Sequence, residues 1–145
     1  MSRGLADTSL FVARESGRPL EINSLPDEIG VSVITIGELR AGVLAAVDVE
    51  TRDRRLATLT QALVLEPIPI DRGVAESWAR LRLLLRDRNQ RMPVNESWIA
   101  ATALALEVPV VTQDSDYVDV PGLSVINVWL PVQTGSMSAK VRVVR

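Results

Sequence analysis

Short, unbroken apolar runs alternate with longer segments of helical spacing along this chain, and that alternation restricts the fold more than any other feature. Val31-Ser32-Val33-Ile34 and Val108-Pro109-Val110-Val111-Thr112 are largely β-branched and apolar throughout rather than at every second residue. Strands of that kind are buried on both faces, as in a parallel sheet covered by helices on each side. Leu5-Ala6, ending at Asp7, and Leu123 to Trp129 read as two further strands. Helical patterns fill the intervals. One helix opens at Thr35-Ile36-Gly37-Glu38 and runs to about Val47; a second spans Glu50 to Leu63, with Leu56, Leu59 and Leu63 at helical spacing. A third follows Asp71 and aligns Val74, Trp78, Leu81 and Leu85. A fourth runs from Glu96 to Glu107 behind Asn95 as N-cap, with Ile99, Ala103 and Leu106 as its buried stripe. Val64 to Ile70 reads as a short edge segment because Pro67 and Pro69 cannot donate to a ladder, and Leu20 to Leu25 as a short helix or an irregular piece. The expected class is α/β, built as one domain of 145 residues.

Open sheets of this kind bind ligands beyond the carboxyl ends of their strands. Asp7, Glu38 and Asp114 each follow an expected strand, and Glu96 opens the helix that leads into the strand before Asp114. Each has a plain structural role available: helix capping for Asp7, a capping box with Thr35 for Glu38, a favourable dipole position for Glu96, a side-chain turn for Asp114. Four such roles at one edge of one sheet are less economical than a shared purpose. Carboxylates brought together from distant positions repel one another unless a cation lies between them. Hard oxygen donors suit Mg²⁺ or Mn²⁺, whose usual substrate is a phosphate. Thr8, Ser9, Asn95 and Thr112 stand beside the acids and are placed to bond the waters of such an ion.

What the composition lacks narrows the chemistry further. The chain has no histidine and no cysteine, which excludes a histidine-based ribonuclease, a Ser-His-Asp triad and a thiolate metal site, and leaves zinc only an uncommon all-oxygen set. Neither G-x-x-x-x-G-K-[ST] nor G-x-G-x-x-G occurs. Met1 to Asp7 is interrupted by an acid before an apolar core of a signal peptide develops, and no apolar run is long enough to span a bilayer, so a cytoplasmic protein is expected. Positive charge is almost all arginine, grouped at Arg52, Arg54 and Arg55 and again between Arg80 and Arg91. These groups fit either phosphate contacts or a solvated helix face paired with Asp53, Glu76 and Asp87.

Four blocks occur in order: Leu5-Ala6-Asp7-Thr8-Ser9-Leu10-Phe11, Ile34-Thr35-Ile36-Gly37-Glu38-Leu39-Arg40-Ala41-Gly42, Asn95-Glu96-Ser97-Trp98-Ile99-Ala100-Ala101-Thr102-Ala103-Leu104 and Val111-Thr112-Gln113-Asp114-Ser115-Asp116-Tyr117. Together they resemble the PIN-domain family, and within it the VapC-type toxins of bacterial toxin–antitoxin pairs, over roughly residues 4 to 128. The resemblance implies a three-layer α/β/α domain over residues 1–130 with a mainly parallel sheet of about five strands, followed by a tail, 131–145, that is flexible or added. It implies a Mg²⁺- or Mn²⁺-dependent endoribonuclease that cleaves structured RNA such as tRNA or rRNA by a metal-activated water. It also implies a homodimer held inactive by a VapB-type antitoxin. By motif, Asp7, Glu38, Glu96 and Asp114 match the four acidic positions, with Asp116 as an accessory metal ligand; Arg40, after Glu38, is a candidate contact for RNA or antitoxin, or else a solvated surface arginine. One position departs from the pattern: the third acid is ordinarily aspartate, and Glu96 carries its carboxylate ~1.5 Å further out. A catalytically weakened PIN scaffold that only binds RNA or antitoxin is therefore the competing reading. An aspartyl phosphatase or receiver domain fits poorly, because Asp7-Thr8-Ser9 lacks the second aspartate and Lys140 lies in the tail.

Overall fold

In a computed structural model of the chain, described over residues 1–117 and 119–128, the strands are β1 (Arg3–Ala6), β2 (Glu28–Val31), β3 (Val110–Thr112) and β4 (Val125–Asn127). The helices are α1 (Thr8–Glu15), α2 (Val33–Ala45), α3 (Val49–Leu63), α4 (Arg72–Asp87) and α5 (Val94–Leu106), with a 3₁₀ turn at Ile22–Ser24. The four strands form one parallel sheet in the order β2-β1-β3-β4. The expected tail after Pro131 lies outside the described residues.

Side-chain alternation along the strands divides the core. Leu5 and Val110 face α4 and α5, in a cluster with Val74, Leu81, Leu85, Ile99 and Tyr117. Ala6 and Val111 face the other way, toward Leu10, Val128 and the partly buried Phe11, Leu20, Leu25 and Ile29. A third cluster, Leu39, Val43, Leu59 and Ala62, joins α2 to α3. The result is three layers, α/β/α, with aliphatic residues supplying nearly all of the interior. β1 passes so close to its surroundings that a Cβ at Gly4 would stand 2.7 Å from both Pro26 Cγ and Val111 Cγ2. A side chain there would have to displace Pro26, Val111 or the strand itself.

Several boundaries differ from those read off the sequence. The strand expected at Val31 to Ile34 sits earlier, at Glu28–Val31, because Ser32 caps α2 by accepting from the Ile34 amide at 3.1 Å. β-Branched Val33 and Ile34 are thus helical, tertiary context overriding propensity. The capping box between Thr35 and Glu38 does not form; both lie inside α2. Asn95 is likewise not the cap of α5, which begins at Val94 with Pro93 before it. Asp71 does cap α4, accepting from the Val74 amide at 2.9 Å. In α5 the stripe is steeper than expected: Ile99, Ala100 and Ala103 are buried whereas Leu106 is exposed. In α3 only Leu59 of the three leucines is buried. Among the described residues the sheet has four strands rather than about five. The segment around Pro67 and Pro69 contributes one parallel bridge, Ser32 with Ile68, since prolines on both sides of Ile68 prevent a longer ladder.

Candidate metal centre

The strand order places a topological switch point between β1 and β3: from β1 the chain passes to β2 on one side, and β3 returns on the other. The loops leaving β1 and β3 diverge there and open a crevice at the carboxyl edge of the sheet. Asp7 is the first residue after β1, and Asp114 and Asp116 lie just after β3. Glu96 reaches the same place from the first turn of α5, which packs against both strands. One carboxylate oxygen each from Glu96, Asp114 and Asp116 lies within 4.8 Å of the others.

Asp7 is built in more deeply than the rest and is only 2% exposed. It occupies the N-cap position of α1 without making a side-chain cap bond. Instead its Oδ2 accepts from Thr112 Oγ1 at 3.0 Å and its Oδ1 from the Tyr117 hydroxyl at 2.8 Å. Thr112 Oγ1 also accepts from the Asp114 amide at 2.9 Å, which ties the loop after β3 to Asp7. Ser9 reinforces the same junction, accepting from the Gln113 amide at 3.1 Å. Glu38 comes from the second turn of α2, not from a strand end; its Oε1 accepts from Thr8 Oγ1 at 2.8 Å, and that hydroxyl also bonds Thr35 at 2.9 Å. Asn95 is exposed beside Glu96. Arg40 is exposed on α2, two residues and so about 200° around the helix from Glu38. Part of the arginine surface is structural: Arg55 donates to the Gly42 carbonyl at 2.7 Å, Arg52 to the Ala46 carbonyl at 3.2 Å, and Arg82 lies over the Trp78 ring.

Tyr117 is the neighbour of Asp7 that the sequence did not single out. Its place in the block after Asp114 was visible, but a buried aromatic reads as core until its hydroxyl is seen on Asp7. Burial pushes its phenol far above the ordinary range, with the Asp7 charge and the bond to Asp7 adding to it, so the hydroxyl stays a donor.

The acids perturb one another. Burial raises the Glu96 carboxyl; its own backbone amide opposes this, and the charges of Glu38, Asp7 and Asp116 add to the rise. Burial also raises Asp114, with the Asp7 and Asp116 charges and a hydrogen bond shared with Asp7 in the same direction and Arg18 opposing. Such a set fits a hard divalent cation: all donors are oxygen, the carboxylates face one another, and each proton or cation taken up relieves repulsion.

Glu96 and Asp114 both bind protons more tightly folded than unfolded, so their contribution is fully present below the unfolded carboxylate range and is lost as pH rises through the raised folded values. Metal-free protein is therefore expected to gain stability from these two groups as pH falls through their raised folded values toward the ordinary carboxylate range. Glu96→Gln should flatten that gain in thermal melts with chelator present, and an unchanged pH slope would contradict it.

A family model for the PIN domain matches residues 5–123. The chain is 42% identical to Ribonuclease VapC5 of Mycobacterium tuberculosis over 125 residues, covering 86% of this chain and 93% of that protein. It is 47% identical to Ribonuclease VapC4 of the same organism over 126 residues, covering 87% and 97%. A crystal structure of a member of the VapBC family of toxin–antitoxin systems, VapBC-5 from Mycobacterium tuberculosis, superposes with a TM-score of 0.80 at 38% identity, over 88% of this chain and 99% of that one. With a matching domain model, close relatives along most of their length and the same three-layer fold, the chain belongs to the PIN-domain family, among its VapC members.

Proposed function

We propose that the chain is the ribonuclease toxin of a VapBC-type pair, cleaving structured RNA such as tRNA or rRNA with Mg²⁺ or Mn²⁺ held by its carboxylates. The observation that carries this reading is the convergence of Glu96, Asp114 and Asp116 within 4.8 Å of one another at the switch point beside buried Asp7. The names of the VapC relatives support the substrate class, and the toxin–antitoxin neighbour supports a VapB-type partner. Asp7, Glu96, Asp114 and Asp116 would hold the cation, with Glu38 completing the acidic wall. The chemistry a bound Mg²⁺ supplies is polarisation of a phosphoryl oxygen and a lower pKa for water. Thr112 orients Asp7 and the Asp114 backbone together, Thr8 fixes Glu38, and Asn95 borders Glu96 toward solvent. Arg40 is the candidate contact for an RNA phosphate or an antitoxin carboxylate. The working form is a cytoplasmic homodimer; among the described residues no helix is long and apolar enough to cross a membrane.

The placement of Glu96 supports a retained cation site over a weakened one. Despite the extra methylene, its carboxylate lies within 4.8 Å of those of Asp114 and Asp116. Incubation with total RNA in Mg²⁺, in Mn²⁺ and in chelator tests the proposal, with the cut ends mapped. Cleavage at few sites, leaving 3′-hydroxyl and 5′-phosphate ends only when cation is present, is expected. Cleavage that persists in chelator, or none with either ion, would refute it.

A further inference from the structure

Asp7 is unusual among the acids of the site. It is almost fully buried, and each of its two oxygens already accepts a bond from a different part of the chain, Thr112 at the end of β3 and Tyr117 in the loop beyond. A carboxyl gripped at both oxygens has its plane and rotation set. Its remaining lone pairs are left for other partners. Thr112 sits next to Asp7 through the pairing of β1 with β3, so that contact follows from the sheet. The second contact does not. Tyr117 is fully buried in the cluster under α5, with Leu5 and Ile99, and the hydroxyl is the one polar atom its ring brings there. A phenylalanine would fill the same space equally well.

We propose that Tyr117 is a positioning residue for the metal centre: its hydroxyl fixes the orientation of Asp7 so that the free lone pairs face Glu96, Asp114 and Asp116. This rests on the reading of the cluster as a cation site. Groups that orient a ligand from behind ordinarily matter about 10- to 100-fold in metal affinity or activity. The same loop thereby does two things. Asp114 and Asp116 offer oxygens to the crevice, and three residues past Asp114 the chain turns back inside to hold the acid on the neighbouring strand. A displacement of this loop would alter all three carboxylates together.

Tyr117→Phe separates orientation from packing. Mn²⁺ affinity, measured by electron paramagnetic resonance well below the melting temperature, is expected to fall about tenfold. RNA cleavage should lose kcat with little change in KM, because the hydroxyl touches Asp7 and not the substrate. A variant that melts lower yet keeps full Mn²⁺ affinity would show that the hydroxyl only stabilises the core and would overturn the proposal. Because Tyr117 is the only tyrosine, 3-fluorotyrosine labels it alone in the otherwise native chain, which does not depend on the variant folding. Its ¹⁹F resonance should shift as Mg²⁺ is titrated in, and no shift at saturating Mg²⁺ would also overturn it. A protein that binds Mn²⁺ and responds at Tyr117 but cleaves no RNA would refute the ribonuclease reading while leaving the positioning role standing. A protein that binds no Mn²⁺ would refute both.

Discussion

Asp7→Asn is expected to lower cation-dependent RNA cleavage roughly a hundredfold to a thousandfold, the equivalent of several kcal/mol of lost charge stabilisation at about 1.4 kcal/mol per tenfold. The change is nearly isosteric, and the reason for the large effect is chemical. The carboxyl is buried, so the charge it offers a cation is little screened by solvent. The asparagine oxygen can still accept from one hydroxyl, while its amide faces the other, whose oxygen can accept in turn. The fold should therefore survive. Relief of repulsion with Glu96 and Asp114 offsets the lost charge-assisted bonds, and a net change of about 1 kcal/mol or less corresponds to ~4 °C or less in melting temperature. What should vanish is the stabilisation by cation: a ligand at 100 times its dissociation constant adds about 2.7 kcal/mol to a protein that binds it only when folded. Thermal melts with and without Mg²⁺ decide the matter. If Mg²⁺ still raises the melting temperature of Asp7→Asn as it does that of the native chain, the site has been misassigned.

Ile99→Ala should cost about 3 kcal/mol, within the range of roughly 2–5 seen for truncating a large buried aliphatic, and should lower the melting temperature by about 10 °C. Ile99 is fully buried one turn beyond Glu96, where α5 meets Leu5 and Val110 of the sheet, and these short rigid strands leave little room for the cavity to collapse. Leu106→Ala provides the comparison. Leu106 has 45% of its surface exposed and should change stability by less than about 0.5 kcal/mol. Equal losses in denaturant titration would mean that the register of α5 against the sheet is wrong, and with it the placement of Glu96. Because Ile99 anchors the helix that carries Glu96, its truncation should also weaken Mg²⁺ binding at temperatures where the variant remains folded.

Much of this architecture was legible in advance. Val110 and Val111 belong to a strand because an unbroken β-branched run has nowhere to go but a sheet covered on both faces, and both are fully buried. Asp71 could be read as a cap because its carboxyl serves amides only a few residues away. Failures came where distant contacts settled a local choice. Val33 and Ile34 favour a strand by themselves, yet Ser32 caps a helix there and the Val33 amide donates to the Ile68 carbonyl at 3.0 Å. Leu106 fits the helical spacing of a core residue but is left 45% exposed, because among the described residues no element packs over it.

The four acids proposed for the site were singled out by their places near expected strand ends and helix starts, in a chain whose lack of histidine and cysteine leaves carboxylates as the main candidates for metal chemistry. Their kind, order and approximate places at loop and helix starts are local properties, carried by residue type and spacing. Their relation to one another is not local. Asp7 and Tyr117 are separated by 110 positions in the chain and by 2.8 Å in space, and only the pairing of β1 with β3 brings them together. The switch point between those strands, the grip of Thr112 and Tyr117 on Asp7, and the arrival of Glu38 from within a helix rather than from a strand end all depend on which strand lies beside which. That choice is made by burying two faces of the sheet at once, a sum over the whole core that no single segment expresses.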